Sequence, residues 1–532
     1  MILKELYKIC PKKPFHKDFV DLRFRFRILE VPKELPEDKN FPYEDELFLV
    51  NIGEEGKFHA SFIYQSKFVV FKEEDHLLFN GYAPDFCRKS NIIRNGGGSA
   101  FIVGQFYDVA LHLSKYRCYV EINGGEAKTS YGNGRDKITD LIFFARKGVT
   151  VELDESNICF SERDYYEPVK DIGLERFIRE GLFCNYQFWH NAPDGVYFDR
   201  LNLIQSILCT TRNSPAYQTN IMIDAYSDTR NIGIIFEVTD QPTEEWPLLF
   251  AFYINGEKQP FQEIFCRKDR VYSVNFAVSM QYPVYNRLTI VFPCSMSLAL
   301  KHISYDKGAV FSAVEKKETV YFFGDSITEG SECFDPGEMY VNQITRKYDF
   351  YAIDQAVSGR TFCDYTILGE YERKPVYVFI ACGTNSFCGG VQDKAVCFAE
   401  LERQMEIVLQ NAEKYFPGAV KIALLPIWRS DEKGVNFTLQ DIGRKMREIY
   451  ERKKDIIIID CYDFIPPDSH YFSNSELALH PNSFGHSLYG AKLLEKLKNI
   501  LGAPPLHNDA ETAKKTLQKC GECRKAEKSS EF

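Results

Sequence analysis

At residue 319 the hydrophobic pattern changes period, and that change divides what the chain can fold into. Before it, apolar and polar residues alternate in short runs, among them FRFRIL, LFLVNI, RCYVEI and DLIFFARKGVTVEL, separated by glycine-rich turns such as NGGG at 95–98, NGG at 123–125 and YGNG at 131–134. A period of two marks strands that bury one face. After it, β-branched and aromatic runs at Val320–Phe323, Phe350–Ile353, Val376–Ala381, Val420–Leu425 and Ile456–Ile459 alternate with stretches of helical spacing. That arrangement predicts a parallel sheet wrapped by helices on both faces.

The chain therefore reads as multidomain. Residues 1–165 predict an all-β sandwich and residues 166–315 a second one of jelly-roll type, opened by a helix around Leu174–Arg179. Within the second, LLFAFYINGEKQPF joins two strand runs across Asn255-Gly256, a strong hairpin signal. Gly308–Glu318 reads as a linker, residues 316–503 as the α/β domain and residues 504–532 as a disordered tail. None of the glycine clusters has a phosphate-loop layout, so they read as hairpin turns. In the α/β part, Phe398, Leu401, Met405, Val408, Leu409 and Ala412 form one core-facing helical stripe and Leu439, Ile442, Met446 and Ile449 another. A closing helix carries Leu488, Ala491, Leu494, Leu497 and Leu501.

The 532 residues carry a formal net charge of −10, which argues against broad attraction to nucleic acid or anionic membrane. The N-terminal stretch MILKELYKICPKKPFHKDF has lysines throughout and lacks the apolar run of a secretory signal, so a cytoplasmic location is expected. In that compartment the 16 cysteines, Cys209 and Cys382 for example, read as buried thiols. Cys520 and Cys523 form a CxxC that is half a zinc site at most and reads as a feature of a solvated tail.

Chemistry concentrates where the period changes. TVYFFGDSITEG runs from a buried strand, breaks at Gly324 and presents Ser326. A serine hydroxyl needs a base and oxyanion donors to act as a nucleophile. Serine in such a place also commonly caps a helix, a use that leaves two further blocks unexplained. Gly383-Thr384-Asn385 follows the third strand and His480 lies in LHPNSFGH before the closing helix. Loops at the carboxyl ends of parallel strands converge on one edge, so these residues can meet.

GDSIT, Gly359 after the second strand, GTN and HPN, in that order, resemble the SGNH (GDSL-type) hydrolase family over roughly residues 316–503. The strand-rich region ahead of GDS is similar in layout to that of acetyl-xylan-type carbohydrate esterases. The resemblance implies a three-layer, flavodoxin-like α/β domain with Ser326 as nucleophile and His480 as base. It further implies an oxyanion hole made by the N–H groups of Ser326 and Gly359 and the amide of Asn385, with no cofactor and no metal. The family's usual aspartate three residues before the histidine is replaced by Leu477, leaving Glu476, Asp468 or a backbone carbonyl to orient His480. Without an orienting partner the wrong tautomer would cost about ten-thousand-fold in rate.

His486 is the rival histidine but falls on the predicted helix. Trp428 and Arg429 after the fourth strand, and Arg360 beside Gly359, are placed either to contact substrate or to pack and solvate the sheet edge. The expected function is a serine esterase that removes small acyl groups, acetyl foremost, from sugar hydroxyls of a small or oligosaccharide ester. The alternatives are a lipase, thioesterase or acyltransferase of the same fold, or a carbohydrate-binding protein with a decayed hydrolase domain.

Overall fold

The computed structural model describes residues 1–532 apart from 4–5, 10–18, 39–45, 54–65, 74–75, 81–91, 94–101, 115–116, 124–127, 132–139, 164–171, 193, 203–204, 206–216, 244, 261–263, 474–477, 506–509 and 518–532. The chain divides into two compact units, the first formed mainly by Met1–Glu167, the second by Pro168–Gln205 and Ser214–Phe532.

In the first unit Phe19–Glu30 buries Val20, Leu22, Phe24, Phe26 and Ile28, the alternate positions of FVDLRFRFRILE. It pairs antiparallel with Thr150–Arg163 and Tyr107–Ser114 in a six-stranded sheet. Glu46–Gly53, Ser66–Glu73 and Asp140–Ala145 belong to a second six-stranded sheet. The two sheets share one apolar core, in which Phe24 meets Phe143 edge-on at 5.4 Å and Phe26 lies 5.0 Å from Phe48. The glycine clusters at 95–98, 124–125 and 132–134 fall outside the described residues.

The second unit opens with helix Ile172–Arg179 and continues as strands to Phe311–Ala313. Met222–Ser227, Asn286–Val291 and Ala251–Ile254 lie in one sheet; Gly195–Asp199, Ser297–Tyr305, Asn231–Asp240 and Arg270–Ala277 lie in another, and the two again enclose a common core. Asn255 and Gly256 take φ of 51° and 84°, the doubly left-handed turn that lets Ile254 pair directly with Glu257. The stretch expected as linker contains a strand: Phe311–Ala313 pairs with Met222–Ser227.

From residue 319 the elements alternate. Strands β1 (Thr319–Gly324), β2 (Tyr351–Asp354), β3 (Tyr377–Ala381), β4 (Val420–Leu424) and β5 (Ile456–Ile459) form a parallel sheet in the order β2-β1-β3-β4-β5. Helices α1 (Ser326–Glu329), α2 (Tyr340–Tyr348), α3 (Lys394–Tyr415), α4 (Leu439–Glu451) and α5 (Ser483–Leu501) connect and cover it. Alternate residues of β1 divide the faces. Tyr321 and Phe323 join the core under α3 and α4, while Val320 and Phe322 join the core under α2 and α5. The result is three layers.

Two expectations are corrected. Helix α5 buries Gly485, His486, Tyr489, Gly490, Leu493 and Leu497; of the expected stripe, Leu497 is buried and Leu494 and Leu501 pack partly against the same core, whereas Ala491 is exposed. Its face is set by close approach: a Cβ at Gly490 would stand 2.4 Å from Gln343 of α2, and one at Gly485 2.3 Å from the carbonyl oxygen of Tyr471. The tail is not wholly without structure. Residues 510–517 are helical, because Ala513 and Leu517 find apolar partners in Tyr226 and Val314. Cys382 is a buried free thiol, whereas Cys209, Cys520 and Cys523 lie outside the described residues. No described helix is long and apolar enough to cross a membrane.

A buried ionic cluster ties the strand region to the parallel sheet. Asp224, on Met222–Ser227, receives Arg287 at 2.7 Å and Lys316 at 2.5 Å, and both cations also reach Asp349, which ends α2 in a left-handed conformation. Burial alone would raise the Asp224 carboxyl, but the two cations outweigh it and hold the group well below the usual carboxylate range. Removing one member of such a cluster leaves buried charge uncompensated. Asp224→Ala is expected to destabilise the second unit by about 3–5 kcal/mol, measured as the shift of its urea unfolding transition.

Candidate active site

The reversal from β1 into α1 takes a single residue, Asp325, which caps the helix by accepting the Ile327 N–H at 3.1 Å. Gly324 is required for it: a Cβ there would lie 2.2 Å from Thr328 Oγ1. Because Asp325 does the capping, the hydroxyl of Ser326 is free of that task, and its Oγ lies 2.8 Å from His480 Nε2. Ser326 also opens α1, so its N–H has no intrahelical acceptor. Burial pushes the Asp325 carboxyl up to about 7, although the Ile327 N–H, His480 and Arg429 act in the other direction.

His480 is presented by a loop with two anchors. Phe472 and Pro481 form an isolated bridge, and Asn482 caps α5 by accepting from Gly485 N–H at 3.0 Å. HPN is thus a helix start whose first residue faces the serine. On the far side of the ring, His480 Nδ1 stands 3.4 Å from Glu332 Oε1. The hydrogen bond from His480 is the largest influence on Glu332 and holds its half-buried carboxyl below the ordinary range; Ser473 donates a second one through its hydroxyl.

Glu332 was not among the residues anticipated for this place. It follows α1 in GSECF, with φ of 64°, and no spacing in the sequence marks it, since the search for an acid naturally starts upstream of His480. Asp468 is exposed and caps the short helix Ser469–Tyr471 by accepting from His470 N–H, so it is engaged elsewhere. Glu476, like Leu477, lies outside the described residues.

Hydrogen bonds knit the remaining blocks to the serine. Val357 N–H donates to Gly324 O at 3.1 Å, Gly359 takes φ of 76°, and Asn385 Nδ2 donates to Arg360 O at 3.0 Å. That bond uses one proton of the Asn385 amide and leaves the other to point elsewhere. Arg360 itself turns inward: its side chain is 5% exposed and donates to Gln355 O at 2.7 Å, which suits it to hold the loop rather than to meet substrate. Arg429 likewise braces the neighbouring loop, pairing with Asp431 and donating to Thr384 O at 3.1 Å. Trp428 is half-buried and packs edge-on against Phe472 at 5.5 Å, supporting the histidine loop.

A serine and an imidazole in hydrogen-bond contact, with a carboxylate behind the ring, make an arrangement suited to acyl transfer. Residues 322–488 match the model of the GDSL-like lipase/acylhydrolase family, and this part of the chain is a domain of that family. A search of the curated proteins gives no match. Among solved structures, a salicylyl-acyltransferase from a tetracycline biosynthetic pathway is 14% identical with a TM-score of 0.50, over 60% of this chain and 95% of its own. A family two carbohydrate esterase from Clostridium thermocellum in complex with cellohexaose is also 14% identical, with a TM-score of 0.44 over 60% of this chain and 98% of its own. An acetyl xylan esterase from the rumen bacterium Butyrivibrio proteoclasticus gives 14% and 0.41, over 53% of this chain and 90% of its own. At 14% identity the likeness to the acyltransferase is one of fold.

His486 stands apart from the serine. It is fully buried on α5 beside Tyr340, and burial, with the nearby His480 acting in the same direction, lowers its pKa to about 3. A histidine held neutral in the fold stabilises it fully above the unfolded pKa of about 6.5, and that contribution is lost as pH falls from there toward 3. His486→Leu is therefore expected to lose less stability than the wild type between pH 7 and pH 4, read from urea midpoints at the two pH values.

Proposed function

We propose that the protein is a serine esterase that removes small acyl groups, acetyl foremost, from carbohydrate hydroxyls. The observation that carries the reading is the 2.8 Å contact between Ser326 Oγ and His480 Nε2 with Glu332 behind the ring. In the proposed cycle Ser326 Oγ attacks the ester carbonyl while His480 takes its proton. The N–H groups of Ser326 and Gly359 and the Asn385 amide hold the oxyanion, and collapse expels the sugar alcohol, which receives the proton from His480. Water then attacks the acyl-enzyme with His480 again as base, releasing the carboxylic acid and restoring Ser326. Glu332 would fix the Nδ1–H tautomer and stabilise the imidazolium formed in each half.

Support for a sugar-bearing substrate comes from Phe334, two residues beyond Glu332. It is 39% exposed and meets Trp246, on Glu245–Leu248 of the strand region, edge-on at 5.4 Å. Exposed aromatic rings present flat apolar surfaces that suit the C–H faces of a sugar ring. The jelly-roll reading of residues 166–315 and the cytoplasmic location belong to this proposal.

The test is hydrolysis of p-nitrophenyl acetate by the wild type and by Ser326→Ala, which is expected to lower kcat by on the order of a million-fold. Equal background rates in both proteins would turn attention to glycan binding without turnover. A preference for octanoyl over acetyl esters would replace the carbohydrate esterase reading with a lipase or thioesterase.

A second measurement concerns the acid. Glu332→Gln is expected to lower kcat by up to about ten-thousand-fold, with KM for the same ester little changed. Asp468→Asn, at the short-helix cap, should leave both constants near wild type.

A further inference from the structure

We propose that Arg200, a residue of the strand region, is a positioning residue for the oxyanion-binding loop of the reaction proposed above, on which this inference rests. Arg200 follows Gly195–Asp199 and is 0% exposed, as is Glu329, the last residue of the helix that Ser326 opens. The guanidinium serves several acceptors, and its Nη1 lies 3.9 Å from the buried Asp354 carboxyl. Its Nε donates to Tyr217 O at 2.7 Å, Nη1 to Asp354 O at 3.2 Å and to Ala356 O, and Nη2 to Glu329 Oε1 at 2.5 Å. The other oxygen of Glu329 accepts from Ser358 N–H at 2.9 Å and from Ser358 Oγ at 2.5 Å. Ser358 Oγ also lies 2.8 Å from Ser331 Oγ, just past the nucleophile helix.

The neighbouring residues extend the same seam. Gln355 Nε2 donates to Arg200 O, Asn202 Nδ2 to Leu368 O at 2.6 Å, and Gln205 Nε2 to Thr366 O at 2.8 Å. Arg200 therefore grips the backbone that leads into Gly359 with one edge, and through Glu329 grips the nucleophile helix and Ser358 with the other.

That connection fixes the spacing between two N–H groups, of Ser326 and Gly359, that must point at one oxygen. Oxyanion donors act because they are held in place beforehand, and a displacement of about 1 Å costs roughly a hundred-fold in rate. Stability alone gives no account of the pair, since a buried ion pair is often no better than packed apolar side chains of the same size. Direction is what a guanidinium adds: a planar fork of five donors meets several carbonyls and a carboxylate at once, which neither methionine nor lysine can reproduce.

The experiment compares wild type, Arg200→Lys, Arg200→Met and the double variant Arg200→Met/Glu329→Gln on p-nitrophenyl acetate, with near-UV circular dichroism and melting temperature recorded for each. The double variant removes both charges of the Arg200–Glu329 pair and leaves the buried Asp354 carboxyl, 3.9 Å from Arg200 Nη1, to take up a proton; its near-UV signal decides whether it serves as the folded reference. The expected result is a fall in kcat of about a hundred-fold, with KM within about twofold, in the double variant at wild-type near-UV signal. Arg200→Lys should recover melting temperature over Arg200→Met without recovering kcat. A lowered melting temperature with wild-type kcat in the folded variants overturns the inference and leaves the hydrolase reading intact. A fall in kcat confined to variants that have lost the near-UV signal overturns it too. Absence of Ser326-dependent turnover in the wild type overturns the hydrolase reading, and this inference with it.

Discussion

The turn at Gly324 and Asp325 is the constraint around which the α/β half is arranged. A strand buried on both faces must pass into a helix within one residue, and that is feasible because Gly324 has no Cβ to meet Thr328 and Asp325 supplies the cap. Everything that reaches Ser326 does so at the rim this turn creates. Val357 bonds to Gly324 O, and the loop after β3 bonds through Asn385 to Arg360 O. The histidine loop arrives from the far edge, positioned by the Asn482 cap of α5. Each contact is an ordinary hydrogen bond. Their convergence follows from parallel strands that all end on the same side.

The strand region is more than a neighbour of the parallel sheet. Asp224 with Arg287 and Lys316 forms one buried ionic connection to it, and Arg200 with Glu329 forms another. Both place full charges where solvent does not reach, so each charge depends on its partner being in place. Burial and partnership together tie the geometry of the rim to residues more than a hundred positions earlier in the chain.

Much of this was legible in the sequence for a physical reason: it rests on local patterns. The five β-branched runs that became β1 to β5, the stripe Leu401, Met405, Val408, Leu409 and Ala412, and the Asn255-Gly256 turn all declare themselves within a few residues. Ser326, Asn385 and His480 could be read as a set because each sits in a block tied to a strand end or a helix start. Glu332 could not, because a carboxylate in a turn is locally indistinguishable from a surface one; its role depends on a histidine far along the chain. Arg360 shows the same limit. Its charge suggested substrate contact or solvation, whereas a carbonyl partner at Gln355 draws it inside; Arg200, which no local pattern marks, is likewise buried. The face of α5 was only partly read, through Leu494, Leu497 and Leu501, because leucine counted for more in the pattern than the glycines that permit close approach.

The position of Glu332 bears on how the site is held together. Ser326 and Glu332 belong to one short stretch, residues 326–332, that begins with the capped turn at the end of β1. His480 alone comes from a separate loop. Both contacts of the imidazole, to the Ser326 hydroxyl and to the Glu332 carboxylate, therefore depend on the seating of that one residue against a single segment.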